Sequence, residues 1–213
     1  MGQFSIGEEV AHSITHGIGA LLSVAALVVM IVRSVVAGVE LSLLAAIVFG
    51  VSLILLYTAS TLYHAFPWPR VKRTFQTFDH MAIYFLIAGT YTPFSLLTLG
   101  GAQGWTLFGL LWGLALGGAA FALISRGRWP KISLAFYLAM GWIAIFYIRE
   151  LVAALTPVGV VLVVAGGLSY TVGAVFYAWK RLPYNHATWH LFVLGGSAAH
   201  FFCIMEFVLT GGA

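Results

Sequence analysis

Seven apolar stretches, each close to or above the roughly 20 residues that cross a 30 Å hydrocarbon layer, govern what this chain can fold into. They fall at about 14–36, 41–65, 77–99, 105–124, 132–152, 157–179 and 187–210. In lipid a segment must satisfy its own backbone amides, and barrel strands would alternate rather than run apolar throughout, so helices are expected. Short connections make sequential helices antiparallel neighbours. The expected architecture is an all-α integral membrane protein, a seven-transmembrane helix bundle forming one domain over residues 1–213. Composition agrees, since only 8% of residues are charged, against roughly 25% in a soluble domain. No cleavable signal peptide is expected, because the first dozen residues are acidic and polar with no basic region. The single cysteine, Cys203, excludes an internal disulfide.

Positive charge orients the bundle. Arg70, Lys72 and Arg73 follow the second stretch, Arg126, Arg128 and Lys131 the fourth, and Lys180 and Arg181 the sixth; only Arg33 and Arg149 lie on the other side. The positive-inside rule puts these loops and the N-terminus in the cytoplasm and the C-terminus outside, as in a protein of the inner cell membrane. Basic residues in short clusters do not make a nucleic-acid footprint, so no nucleic-acid partner is expected; the expected partner is a membrane lipid or fatty acid. The glycine stripe Gly109, Gly113, Gly117 is expected to admit a neighbouring helix of the same bundle rather than a second copy. Pro93 is expected to kink the third span, with the hydroxyls of Thr90 and Thr92 available to the freed carbonyl. Five tryptophans near span ends, Trp68, Trp105, Trp129, Trp179 and Trp189, read as an interfacial belt. Oligomeric state is not legible.

The polar residues near span ends carry the chemistry. His186 and His190 stand four apart where the last span opens, on one helix face roughly 6 Å apart, as two metal ligands from one helix must be. His64 ends the second span with Ser60 one turn before it, and Asp79 opens the third beside His80. In an alternating bundle the end of an even span and the start of an odd span share a membrane face. One crossing more or fewer between Asp79 and His186 would separate them by the bilayer. Three imidazoles at one depth leave a tetrahedral zinc ion one position for water, the pattern of a catalytic site. Asp79 then serves as general base or water-orienting carboxylate, and Ser60 as a hydrogen-bond donor beside it. Asp79 reads equally well as an N-terminal helix cap. His12 and His16, four apart near the start of the first span with Glu9 one turn upstream, form a rival ligand pair from spacing alone. His200 lies ten residues past His190, about 15 Å deeper at 1.5 Å per residue, too far to share the same ion. It is expected either as a packed, hydrogen-bonded histidine or in a polar cavity above the metal. Glu206, Arg33, Arg149 and Glu150 fall toward the outer surface, where snorkelling accounts for them.

At these residues the sequence resembles the hemolysin III family, the bacterial branch of the progestin and adiponectin receptor (PAQR) superfamily, more distantly related to alkaline ceramidases. The likeness runs over nearly the whole chain: Glu8-Glu9-Val10-Ala11 with Thr15-His16-Gly17, Ser60-Thr61-Leu62-Tyr63-His64, Phe78-Asp79-His80, Ile87 through Pro93, Tyr137 through Trp142, Pro183 through His186 with Trp189-His190, and Ala199-His200-Phe201. It implies a seven-helix bundle with a cytoplasm-side zinc held at positions matching His64, His186 and His190, with Ser60 and Asp79 beside the bound water. It does not assign His12 or His16 to the metal. This chain departs from the pattern at His12, where relatives usually carry Asn, and at Glu206, on a stretch usually less charged.

The resemblance transfers the site further than the reaction. The first expectation is an intramembrane zinc-dependent hydrolase of a lipid amide or ester, ceramidase-like and engaged in membrane-lipid homeostasis. The alternative is a non-enzymatic sensor or regulator in which zinc staples three helices. A pore-forming cytolysin comes last, because polar residues sit only at span ends and draw no amphipathic pore-lining stripe.

Overall fold

In the computed structural model, which describes residues 4–211, seven helical crossings stand side by side. They are built from α1 (Ile6–Ala37), α2 (Ser42–Ala65), α3 (Pro69–Pro93), α4 (Gly101–Ser125), α5 (Pro130–Gly141) with α6 (Ile148–Ala154), α7 (Pro157–Ala178) and α8 (Asn185–Cys203). α3 runs on as a π-helix over Phe94–Leu99 and α8 over Ile204–Val208, while a 3-10 stretch over Trp142–Tyr147 joins α5 to α6 in one crossing.

Local chemistry sets the helix ends, and two start about eight residues earlier than hydropathy predicts. α1 opens at Ser5 with a capping box: Glu8 N–H donates to Ser5 Oγ at 3.3 Å and Ser5 N–H to Glu8 Oε2 at 2.8 Å. It closes on Gly38, whose φ of 64° is the left-handed conformation of a helix C-cap. α3 starts at Pro69, which suits the first helical position because it lacks an N–H. A hydropathy window marks the part in hydrocarbon, whereas caps decide where hydrogen bonding begins. Asp79 therefore lies well inside α3, and the cap position belongs to Trp68. The capping role for Asp79 is excluded.

α1 is amphipathic in an inverted sense. Its buried residues are His12, His16, Gly19, Ser23, Met30 and Ser34, while Leu21, Leu22, Val28 and Val36 are exposed. A face that is apolar outward and polar inward belongs in lipid. α1 packs on α2 and α8, so α8 closes the bundle onto the first helix.

The fifth crossing is interrupted where it faces α3. Its break exposes backbone groups that have no water to bond in a bilayer. Tyr91 of α3 supplies both partners: its hydroxyl donates to Gly141 O and accepts from Ala144 N–H, each at 2.7 Å. At Pro93 the regular α-helix ends and the wider π-helix takes over. The hydroxyls of Thr90 and Thr92 bond to Leu86 O at 2.7 Å and Ala88 O at 2.9 Å, not to the carbonyl that Pro93 frees.

The glycine stripe does not do what its spacing suggests. A Cβ at Gly109, Gly113 or Gly117 would meet nothing, whereas one at the adjacent Gly118 would collide with the ring of Tyr84. Gly118 is the position that admits α3 against α4. Trp68, Trp105, Trp129 and Trp179 are exposed near helix ends, as a belt requires, but Trp189 turns inward to a cavity. At the opposite end Arg33 meets Glu206 at 3.4 Å, both side chains about half exposed.

Overpacking costs about 1–3 kcal/mol in a filled interior. Gly118→Val is accordingly expected to lower the thermal midpoint of the detergent-purified protein by several degrees, and Gly113→Ala to leave it unchanged. Equal shifts in a thermal-denaturation assay would contradict this assignment of the close contact.

Candidate metal centre

Four helices meet at the end of the bundle that carries the basic loops. α2 delivers His64 one residue before its end, with Ser60 a turn earlier; α3 delivers Asp79; α8 delivers His186 and His190 from its first two turns. α8 is pinned at its start by Asn185, whose Nδ2 donates to Phe176 O at 3.3 Å and Tyr177 O at 3.1 Å. The preceding Tyr184 adopts the left-handed conformation, φ 55°, and its N–H reaches Glu8 Oε1 at 3.4 Å. Chain reversal and both α8 histidines are thus tied to α7 and α1.

One nitrogen from each of His64, His186 and His190 lies within 4.8 Å of the others, and all three residues are buried. Ring centroids are 5.1 Å apart for His64–His186, 5.3 Å for His64–His190 and 4.5 Å for His186–His190. Nε2 of His64 and both ring nitrogens of His186 are buried with no hydrogen-bond partner among the described residues. A buried polar atom left unpaired costs about 1–3 kcal/mol. Nitrogens of three imidazoles brought together from two helices, α2 and α8, can be satisfied together by one cation, so this donor set fits a metal ion. Among the described residues a second set, Glu9, His12 and His64, also converges and shares the His64 ring.

The surroundings divide into a polar side and an apolar side. On the polar side His64 Nδ1 lies 2.7 Å from Glu9 Oε2 and 3.3 Å from His12 Nδ1. Glu9 Oε1 is 2.8 Å from Lys72 Nζ, which also donates to Tyr63 O at 3.1 Å. His190 Nδ1 lies 3.2 Å from Thr15 Oγ1. His16 stacks on His190, centroids 3.5 Å apart and planes within 10°. The in-plane lone pairs of two parallel rings do not converge, so His16 does not share an ion with His190. In the loop between α7 and α8, Lys180 Nζ sits 4.0 Å above the Tyr177 ring, and burial lowers its pKa below the usual lysine range.

The apolar side is a cavity of about 130 Å³ whose walls include Ser60, Asp79, His186 and His190. That is room for several water molecules. Ser60 is fully buried and its hydroxyl makes no hydrogen bond of ordinary length among the described residues; Asp79 is 7% exposed. Leu56, Ile83, Leu86 and Val193 are among the apolar residues of the remaining wall, and His200 also lines it. His200 Nε2 lies 3.2 Å from Val163 O. His200 is thus a hydrogen-bonded histidine that also lines the cavity. Gly141 and Trp142 of the interrupted fifth crossing line the cavity and are exposed on the outside of the bundle.

The structure thus brings together His64, His186 and His190, sets Ser60 and Asp79 on the adjoining wall, and keeps His200 deeper on that wall. Glu9 and His12 adjoin His64 on its other face. Sequence reasoning missed Thr15 and Lys72. Thr15 carried a legible signal, because it lies three residues after His12 and six after Glu9, on the polar face of α1. Lys72 carried none beyond its place in a basic loop.

A family model described as "Haemolysin-III related" matches residues 4–201. The chain is 50% identical to "Hemolysin-3" of Bacillus cereus over 209 residues, 98% of this chain and 95% of that protein. It is 48% identical to "Hemolysin-3 homolog" of Bacillus subtilis (strain 168) over 202 residues, 95% of each chain. A more distant relative is the human "Monocyte to macrophage differentiation factor", 29% identical over 167 residues, 76% of this chain and 69% of that protein.

Proposed function

The chain belongs to the haemolysin-III related family, and on that premise we propose that this multi-pass membrane protein binds zinc through His64, His186 and His190 and hydrolyses an amide or ester of a membrane lipid. The observation that carries the proposal is the convergence of three buried imidazoles beside a cavity walled by a carboxylate, a hydroxyl and apolar side chains. Neutral imidazole nitrogens suit zinc, and calcium and magnesium prefer oxygen donors. Zinc held by three histidines supplies a Lewis acid and lowers the pKa of water.

The protein's own residues supply the remainder. Asp79 accepts the proton of a water adding to the lipid carbonyl and returns it to the departing amine or alcohol as the carbon–heteroatom bond breaks. The Ser60 hydroxyl donates to the developing charge on the carbonyl oxygen. Leu56, Ile83, Leu86 and Val193 hold the acyl chain, and the exposed rim at Gly141 and Trp142 gives lipid a lateral entrance at mid-membrane depth. The grouping of eight basic residues at the histidine end supports a cytoplasmic site in the inner cell membrane. Release of fatty acid there would serve membrane-lipid homeostasis.

Purified protein is expected to carry zinc by elemental analysis, and His64→Ala, His186→Ala and His190→Ala each to lose it. Unchanged metal content in the three variants would refute the ligand set. Asp79→Asn is expected to keep its zinc and to release fatty acid from a panel of N-acyl sphingoid bases and phospholipid esters about 10²–10⁴-fold more slowly. A metal-loaded wild type that releases none, with Asp79→Asn indistinguishable from it, would replace the hydrolase with a zinc-stapled sensor.

A further inference from the structure

α1 contributes no member of the three-histidine set, yet it touches two of them through the nitrogen that a metal would not use. We propose that Glu9 and Thr15 are positioning residues that fix the tautomers of His64 and His190, so that each ring offers Nε2 as a lone pair to one ion. The inference rests on the metal site proposed above and adds to it a cause for its geometry.

The proton positions follow from the contacts. Glu9 meets Lys72 through Oε1 at 2.8 Å and His64 Nδ1 through Oε2 at 2.7 Å. A carboxylate oxygen and a ring lone pair at 2.7 Å would repel, so the His64 proton resides on Nδ1 and points at Glu9. The more distant His12 Nδ1, at 3.3 Å, takes at most a weaker branch of that bond. Nε2 of His64 is then the acceptor nitrogen, and it is the one buried without a partner among the described residues.

Thr15 works by the same logic with a neutral group. Its hydroxyl lies 2.8 Å from Ala11 O and 2.9 Å from His12 O, both carbonyls of its own helix. Carbonyls only accept, so the one hydroxyl proton is directed there in preference to the 3.2 Å contact with His190 Nδ1. Thr15 Oγ1 therefore faces His190 as an acceptor, placing a proton on Nδ1 and leaving Nε2 free. A metal-bound histidine whose other nitrogen donates to a carboxylate or oxygen is held in the right orientation and made more basic. No such contact is present on either ring nitrogen of His186 among the described residues, so orientation is imposed on two of the three ligands.

The test uses the full chain in detergent micelles, stripped of metal and titrated with Zn²⁺ against a chromophoric chelator, together with the visible ligand-field spectrum of the Co²⁺-loaded form. Glu9→Gln keeps the shape and loses the charge; Thr15→Val removes the acceptor and Thr15→Ser restores it. Expected are roughly 10–100-fold weaker Zn²⁺ binding for Glu9→Gln and about tenfold for Thr15→Val, recovery in Thr15→Ser, and Co²⁺ bands unchanged in energy. Wild-type affinity in Glu9→Gln and Thr15→Val would overturn the positioning role while leaving the metal site standing. A shifted Co²⁺ band in Glu9→Gln would also overturn it, by making Glu9 a ligand of the Glu9–His12–His64 set. A wild type that binds neither Zn²⁺ nor Co²⁺ would instead defeat the metal reading itself. Thr15→Val and Thr15→Ser keep the question answerable if Glu9→Gln does not fold.

Discussion

Imidazole nitrogens buried in an apolar bundle must be given partners, and much of this structure follows from that requirement. His12, His16, His64, His186 and His190 crowd one end of the molecule, all of them buried. Water cannot reach them freely, and charged imidazoles at this density would repel one another in a medium of low dielectric. Two arrangements supply such partners: a hydrogen bond to a carboxylate or hydroxyl, and sharing of lone pairs by a cation. The cluster contains the first at Glu9 and Thr15 and is shaped for the second at His64, His186 and His190, while His16, stacked on His190, has neither ring nitrogen paired among the described residues.

The rest of the bundle can be read as support for that end. α1 turns its polar face inward because its neighbours there are histidines and hydroxyl groups, not lipid. α8 closes the ring of helices onto α1, with its first turn clamped by Asn185 to the end of α7. The fifth crossing is the loosest member, broken after Gly141 and held at the break by the hydroxyl of Tyr91. That looseness adjoins the cavity. A gap between helices in lipid is tolerable where the exposed backbone finds an internal partner, which Tyr91 supplies.

Hydropathy alone gives seven crossings and parity gives the shared end, since both depend only on counting. The contact of three histidines from α2 and α8 was legible for the same reason. The details that failed are ones that counting does not see. The first and third helices begin earlier than the apolar stretches because Ser5, Glu8 and Pro69 decide where hydrogen bonding starts. The Gly109–Gly113–Gly117 stripe faces outward because spacing reveals which residues share a face, not which face is covered. Glu9 was legible as a polar neighbour but not as the partner of His64, since a hydrogen bond across two helices depends on their rotation about their own axes. Lys72 needed the same knowledge.

The position of His64 bears on whether the site is a staple or a centre of reaction. Structural zinc sites are closed, with four protein ligands and no room beside them. Here one face of the histidine set meets the Glu9–Lys72 ion pair near the basic loops, while the other meets a cavity bearing a carboxylate and a buried hydroxyl. Among the described residues a fourth ligand would have to come from Glu9 or His12, and both are drawn toward Nδ1 of His64. On the proposed reading the open side would face the cavity, where apolar walls would suit an acyl chain and Asp79 and Ser60 would supply the proton acceptor and hydrogen-bond donor of the hydrolytic step. A purely structural site would need neither group, and burying Asp79 and Ser60 costs stability, which is why the proposed reading gives both a chemical role.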